Sequence, residues 1–152
     1  MRHRRHPPVV TCRSLPAPSA ADWAALRRMV AEALILQDAA EELLVGLRDR
    51  PDPAEVAPAC GRLTRRFAEL RDELPAGGDP MLELYARALM QILDHHILLL
   101  KISLGFLAGV ARCERLAERL DAVDGLGAPG QRLEQIRREI LSWTGPGMSM
   151  TS

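Results

Sequence analysis

Four histidines and three cysteines are the side chains of this 152-residue chain best suited to metal or nucleophilic chemistry. His95 and His96 are adjacent and follow Asp94, so the triplet has the composition of a ligand set. On a helix, however, successive residues point about 100° apart, and the three side chains cannot converge on one ion. A ferritin-like di-iron centre needs Glu-x-x-His on two helices, and the chain has no such motif. Cys12, Cys60 and Cys113 are widely spaced and form no C-x-x-C pair, which excludes a zinc knuckle or a thioredoxin-type motif. Cys113 follows His95 by 18 residues, about 27 Å along a helix, too far for a Cys/His pair. No Gly-rich phosphate loop, GxSxG or HExxH is read from the chain. No catalytic residue, metal site or cofactor is therefore expected.

A second set of polar residues falls where a core is expected. On the third helical segment, Tyr85, His96, Ser103 and Glu114 lie near the middle of the apolar arc. A buried imidazole needs a hydrogen-bond partner. Gln37 and Glu41, at the edge of the first helix's apolar face, are the candidates, giving a His96–Gln37 or His96–Glu41 bond. Tyr85 can turn its hydroxyl outward, and Ser103 can bond the carbonyl one turn back. Gln37, Glu41, Tyr85, His96 and Ser103 are thus also the residues that could line a ligand site inside a bundle, with His96 as a base near neutral pH.

These residues ride on four expected helices. The first spans about 20–48, capped by Ser19, with Leu26, Met29, Val30, Ala33, Leu36, Ala40, Leu43, Leu44 and Leu47 on one face. Pro51 and Pro53 end it. The second opens on Asp52 and Pro53 and carries a stripe of Val56, Cys60, Leu63, Phe67, Leu70 and Leu74. The third runs from about 80 to 123 behind Asp79, roughly 65 Å if continuous, with Gly105 and Gly109 as kink positions. The fourth covers about 131–143, with Leu133, Ile136, Ile140 and Trp143 inward. No strand is expected. Short connections favour antiparallel neighbours, and the expected fold is an all-α, up-and-down antiparallel bundle of four helices over residues 19–144. Residues 1–18, with four arginines, four prolines and no acid, are expected to form a disordered arm, and residues 145–152 a flexible tail.

The third segment has more apolar surface than one core can use. Glu83, Arg87, Asp94, Lys101 and Arg112 mark its outer line, yet Met90, Leu98, Gly105 and Ala108 fall between them. Gly105 and Gly109 form a GxxxG. The first helix shows a similar exception at Ile35, between Arg28, Glu32 and Glu42. Ile35, Leu98, Gly105, Ala108 and Gly109 are therefore the expected interface residues, with a homodimer the simplest cover. The stretch 97–111 is also the most apolar in the chain. Asp94, His95, His96 and Lys101 interrupt the only window long enough to span a bilayer, so no constitutive span is expected, and insertion when triggered is a further alternative.

Composition narrows the classes. Twenty basic and twenty acidic residues give zero net charge, and aromatics are 3%. Neither a basic nucleic-acid footprint nor a base-stacking platform is present. The chain has no Asn, and lysine occurs only at position 101 against 19 arginines. GC-rich coding, as in a high-GC bacterium, accounts for both, so the arginine excess says little about phosphate. Dispersed cysteines suit a reducing cytoplasm. The expected function is a small cytoplasmic interaction module that dimerises or docks on a partner protein, with the ligand-binding bundle as the alternative.

Overall fold

The computed structural model describes residues 20–76 and 78–142. Among these the chain is all-helical, without a strand: α1 (Ala20–Gly46), a 3-10 turn (Leu47–Asp49), α2 (Pro53–Asp72), α3 (Pro80–Gly109), α4 (Glu114–Asp121) and α5 (Gly127–Ser142). The expected cap at Ser19, the inward Trp143, the arm and the tail lie outside the described residues.

The helix starts follow their sequence signals. Asp52 Oδ1 accepts from Ala54 N–H at 3.0 Å, with Pro53 at the first position of α2. Asp79 Oδ1 accepts from Met81 N–H at 3.1 Å, with Pro80 at the first position of α3. Each cap satisfies a donor that the first turn leaves unpaired. Arg50 takes a left-handed conformation at φ 52°, and its N–H closes the 3-10 turn on Leu47 O at 3.0 Å. Pro58 sits inside α2 on its exposed side, where water can reach the carbonyl it leaves unpaired.

The long third segment is corrected. It does not continue to residue 123: the helix runs through Gly105 and ends at Gly109, the second of the two expected kink positions, about 45 Å from its start. Arg112 N–H and Cys113 N–H both return to Gly109 O, at 2.9 and 3.2 Å, and Cys113 is extended before α4 begins. A Cβ on Gly109 would strike the Leu116 side chain, so the missing side chain lets α4 fold back on α3. At Gly105 a Cβ would meet nothing within 4 Å. The break resets the helical phase, and Glu114, expected on the buried arc, is exposed. The described residues therefore hold five α-helices rather than four. The last starts at Gly127, four residues earlier than expected, because only Gly125 (φ 66°) and Gly127 (φ 60°) of the glycine-rich stretch are left-handed.

Two seams with 4-3 spacing build the core. Leu26, Val30, Ala33, Gln37, Ala40, Leu44 and Leu47 are buried along α1 and its terminal turn. Leu82, Ala86, Leu89, Leu93, His96, Leu100, Ser103 and Leu107 are buried along α3. A 3.5-residue repeat keeps each seam facing its neighbours. Cys60, Phe67 and Leu70 of α2 and Leu133, Ile136 and Ile140 of α5 complete the interior. α2 packs chiefly on α3 and also on α1; α5 lies against α1 and α3; α4 touches α3 and the 3-10 turn. Val56 and Leu63 of the expected α2 stripe, with Leu36 and Leu43 of α1, are only partly buried. They line an open groove of about 610 Å³ between α1 and α2.

Ion pairs tie the helices at the surface. Arg66 Nε reaches Glu32 at 2.6 Å, Arg71 reaches Asp94 at 2.7 Å, and Arg48 and Arg50 reach Asp124 and Asp121 at 3.1 and 3.3 Å. Solvent-exposed pairs of this kind contribute up to about 1 kcal/mol each.

Two glycine substitutions should act in opposite directions. Gly125→Ala places a Cβ on a left-handed residue and 2.9 Å from Glu41 Cδ, and should destabilise the fold by about 2 kcal/mol. Gly61→Ala, inside α2 with nothing within 4 Å, should stabilise it by about 0.5–1 kcal/mol. Urea denaturation reads both; equal midpoints for the two variants would contradict the assigned geometry.

Candidate functional site

The α1 and α3 seams bring Gln37 opposite His96. Both are buried, His96 completely. His96 Nε2 lies 2.9 Å from Gln37 Oε1, and Gln37 Nε2 donates to Gly130 O in α5 at 3.2 Å. Gly130 O can only accept, so the Gln37 amide turns its nitrogen to α5 and its oxygen to His96. His96 Nε2 therefore carries the proton and donates, leaving Nδ1 as a lone pair without a hydrogen-bond partner among the described residues. Phe67 of α2 packs edge-on against the ring, centroids 5.4 Å apart. Burial, helped by the neighbouring His95, pushes the His96 pKa down to about 4. The ring is neutral at pH 7 and sealed from solvent.

Glu41, one turn further along α1, does not bond His96. Its Oε1 accepts from Leu126 N–H at 2.9 Å, and its Oε2 lies against Gly125. Residues 125–130 read Gly-Leu-Gly-Ala-Pro-Gly and open α5. This is a glycine-rich helix start. Such starts favour anions, because unpaired N–H groups and the helix dipole point outward. Here the anion is the chain's own Glu41 carboxylate. Gln37 and Glu41 thus act four residues apart on α1 as two anchors for α5.

Tyr85 is eleven residues before His96, about 16 Å along α3. Its hydroxyl donates to Glu139 Oε2 at 3.1 Å, and its ring meets Trp23 at 6.2 Å, nearly perpendicular. Burial, with Glu139 adding to it, raises its pKa. Ser103 is fully buried one heptad beyond His96, and its Oγ has no hydrogen-bond partner among the described residues; the expected bond to the preceding turn is not made. The five candidate ligand residues therefore fall into separate places: a buried Gln37–His96 pair, Glu41 at the start of α5, Tyr85 at its far end, and Ser103 alone. None of them lines the α1/α2 groove. None lines a second groove of about 360 Å³, which runs between Ala88, Gln91, Ile92 and His95 of α3 and Ala128, Pro129 and Arg132 of α5. Among the described residues no three His, Cys, Asp or Glu side chains are placed to hold a metal ion.

The expected interface residues also separate. Leu98 is 55% exposed, and Gly105 and Ala108 are exposed beside it on α3. Gly109 is occupied by Leu116. Ile35 is 71% exposed but lies about 200° around α1 from Gln37, which faces α3, so it is not part of the α3 face. Two residues of that face escaped the sequence reading, Leu84 and Ile102, 60% and 40% exposed. The spacing signal for them was available, since Leu84, Leu98 and Ile102 share one line of a 3.5-residue repeat. By length and composition alone α3 could cross a membrane, with a window of mean hydropathy 1.4. Its inner seam accounts for part of that apolarity, and 39% of the window is buried in the fold.

Because folding lowers the His96 pKa from 6.5 to about 4, the unfolded chain binds this proton first as pH falls. The contribution of the neutral ring is complete above pH 6.5. It declines below that, by roughly 2 kcal/mol at pH 5 and roughly 3 kcal/mol below pH 4. Denaturant titrations at pH 7 and pH 5 should show this loss in the wild type and not in His96→Gln. Parallel pH dependence in the two proteins would refute it.

No family model matches the chain, and neither the curated proteins nor the solved structures give a match.

Proposed function

We propose that this chain is a small cytoplasmic interaction module, adaptor or regulator, that works as a homodimer through the outer face of α3. One observation carries the reading: Leu84, Leu98 and Ile102 stay exposed on the outer side of a helix whose inner side is already fully packed. Surplus apolar surface along one line is what a docking face supplies. The polar interior supports the same reading. Gln37, His96, Glu41 and Tyr85 spend their hydrogen bonds on holding α5 in place, which favours a scaffold over a ligand site.

The arrangement that presents this face is an up-and-down antiparallel bundle of α1, α2, α3 and α5, with α4 folded back on α3 and the 3-10 turn. Several contacts support it. Trp23 and Gln37 of α1 match Tyr85 and His96 of α3 in the same order. Cys60 and Arg71 of α2 meet Leu100 and Asp94 in reverse order. Gly130 and Glu139 of α5 also meet Gln37 and Tyr85 with the chain reversed relative to α3.

The sharpest test is Leu98→Arg, since Leu98 is exposed and its replacement leaves the core intact. Light scattering behind size exclusion, at about 100 µM, should give twice the chain mass for the wild type and one chain mass for the variant, with unchanged melting temperature. A wild type at one chain mass would overturn the homodimer. A variant that stays dimeric would move the interface off α3.

A further inference from the structure

The outer face of α3 carries a second seam, opposite the buried one. Leu84, Gln91, Leu98 and Gly105 alternate with Ala88, His95 and Ile102 at four- and three-residue steps. α5 flanks only the first half of it: Glu139 meets Tyr85, and Ala128, Pro129 and Arg132 stand beside Ala88, Ile92 and His95. Beyond His95 the seam is bare, and there Leu98, Ile102 and Gly105 are exposed.

One flank of the seam has a charge at every seventh position: Arg87, Asp94 and Lys101. In an antiparallel pair of helices, such flanking positions meet across the axis. If His95 layers on the partner's Leu98, Gln91 falls on the partner's Ile102 and Ala88 on the partner's Gly105. In that register Asp94 stands about 3 Å along the axis from the level of the partner's Lys101, and Lys101 likewise from the partner's Asp94, so that each pair is within side-chain reach. Arg71 holds Asp94 through Oδ1 only, and Lys101 forms no salt bridge among the described residues. The reversal also sets each copy's α5 beside the other's bare half, and Gly105 gives Ala88 room for close approach.

We propose that α3 docks antiparallel on α3 of a second copy of this chain, with Asp94 and Lys101 paired twice across the two-fold axis. This rests on the interaction reading above and adds its register. Opposite charges facing each other favour one alignment and penalise the others.

The test is a pair of charge reversals studied by sedimentation velocity at low salt. Asp94→Lys and Lys101→Asp each bring two like-charged pairs together and should each weaken self-association about tenfold or more. Mixed one to one, the two variants regain both pairs in a heterodimer and should associate as tightly as the wild type. Both sites are exposed, and circular dichroism should show unchanged helix content. If either single variant dimerises like the wild type, or the mixture stays monomeric, the antiparallel register is wrong. Should Leu98→Arg still break that dimer, the interaction reading survives without this register. A wild type that is monomeric throughout removes both.

Discussion

The Gln37–His96 hydrogen bond is the contact on which the packing depends. It joins the centres of two otherwise nearly apolar seams, and the same glutamine continues to Gly130 in α5. Sliding α1 by one heptad along α3 would set Gln37 opposite Leu89, leaving Gln37 and His96 both without this bond, or opposite Ser103, leaving His96 unpaired. Each such group costs about 1–3 kcal/mol when buried. Apolar seams alone tolerate several alignments; one polar pair at their middle selects among them. Phe67 closes the ring from α2, so a single imidazole is in touch with three helices directly or through Gln37.

Glu41 does for α5 what Gln37 does for α3. Its carboxylate sits where the glycine-rich start of α5 would otherwise attract an external anion. Gly125 is needed twice there, for its left-handed backbone and for the space the carboxylate fills. A glycine-rich helix start therefore describes a place that favours an anion, not where the anion comes from. In this fold it comes from α1, 84 residues earlier than Gly125.

The long amphipathic helices were legible because their apolar spacing is regular and their caps are local: Asp52-Pro53 and Asp79-Pro80 announce α2 and α3 without reference to the rest of the chain. The His96–Gln37 bond was legible as one of two options, since both residues sit on seams and each needs the other. What could not be read was set by tertiary contact. Gly109 resembles Gly105 in sequence, and only Leu116 folding back on it makes it a helix end. Glu114 was misplaced because the periodicity was carried across that break. Val56 and Leu63 belong to a regular stripe, yet α1 and α2 leave a groove there, and no local pattern encodes how far two helices stand apart.

Lys101 is the only lysine of the chain, and it projects from the outer face of α3. Every modification that requires a side-chain amine, such as acetylation or ubiquitin attachment, has this one address in the sequence. Acetylation would neutralise the charge, and a bulky conjugate would cover the face outright. The same scarcity makes an amine-reactive label a monitor of whether that face is open. An almost lysine-free composition thereby concentrates a whole class of chemistry on the surface where this chain has apolar area to spare.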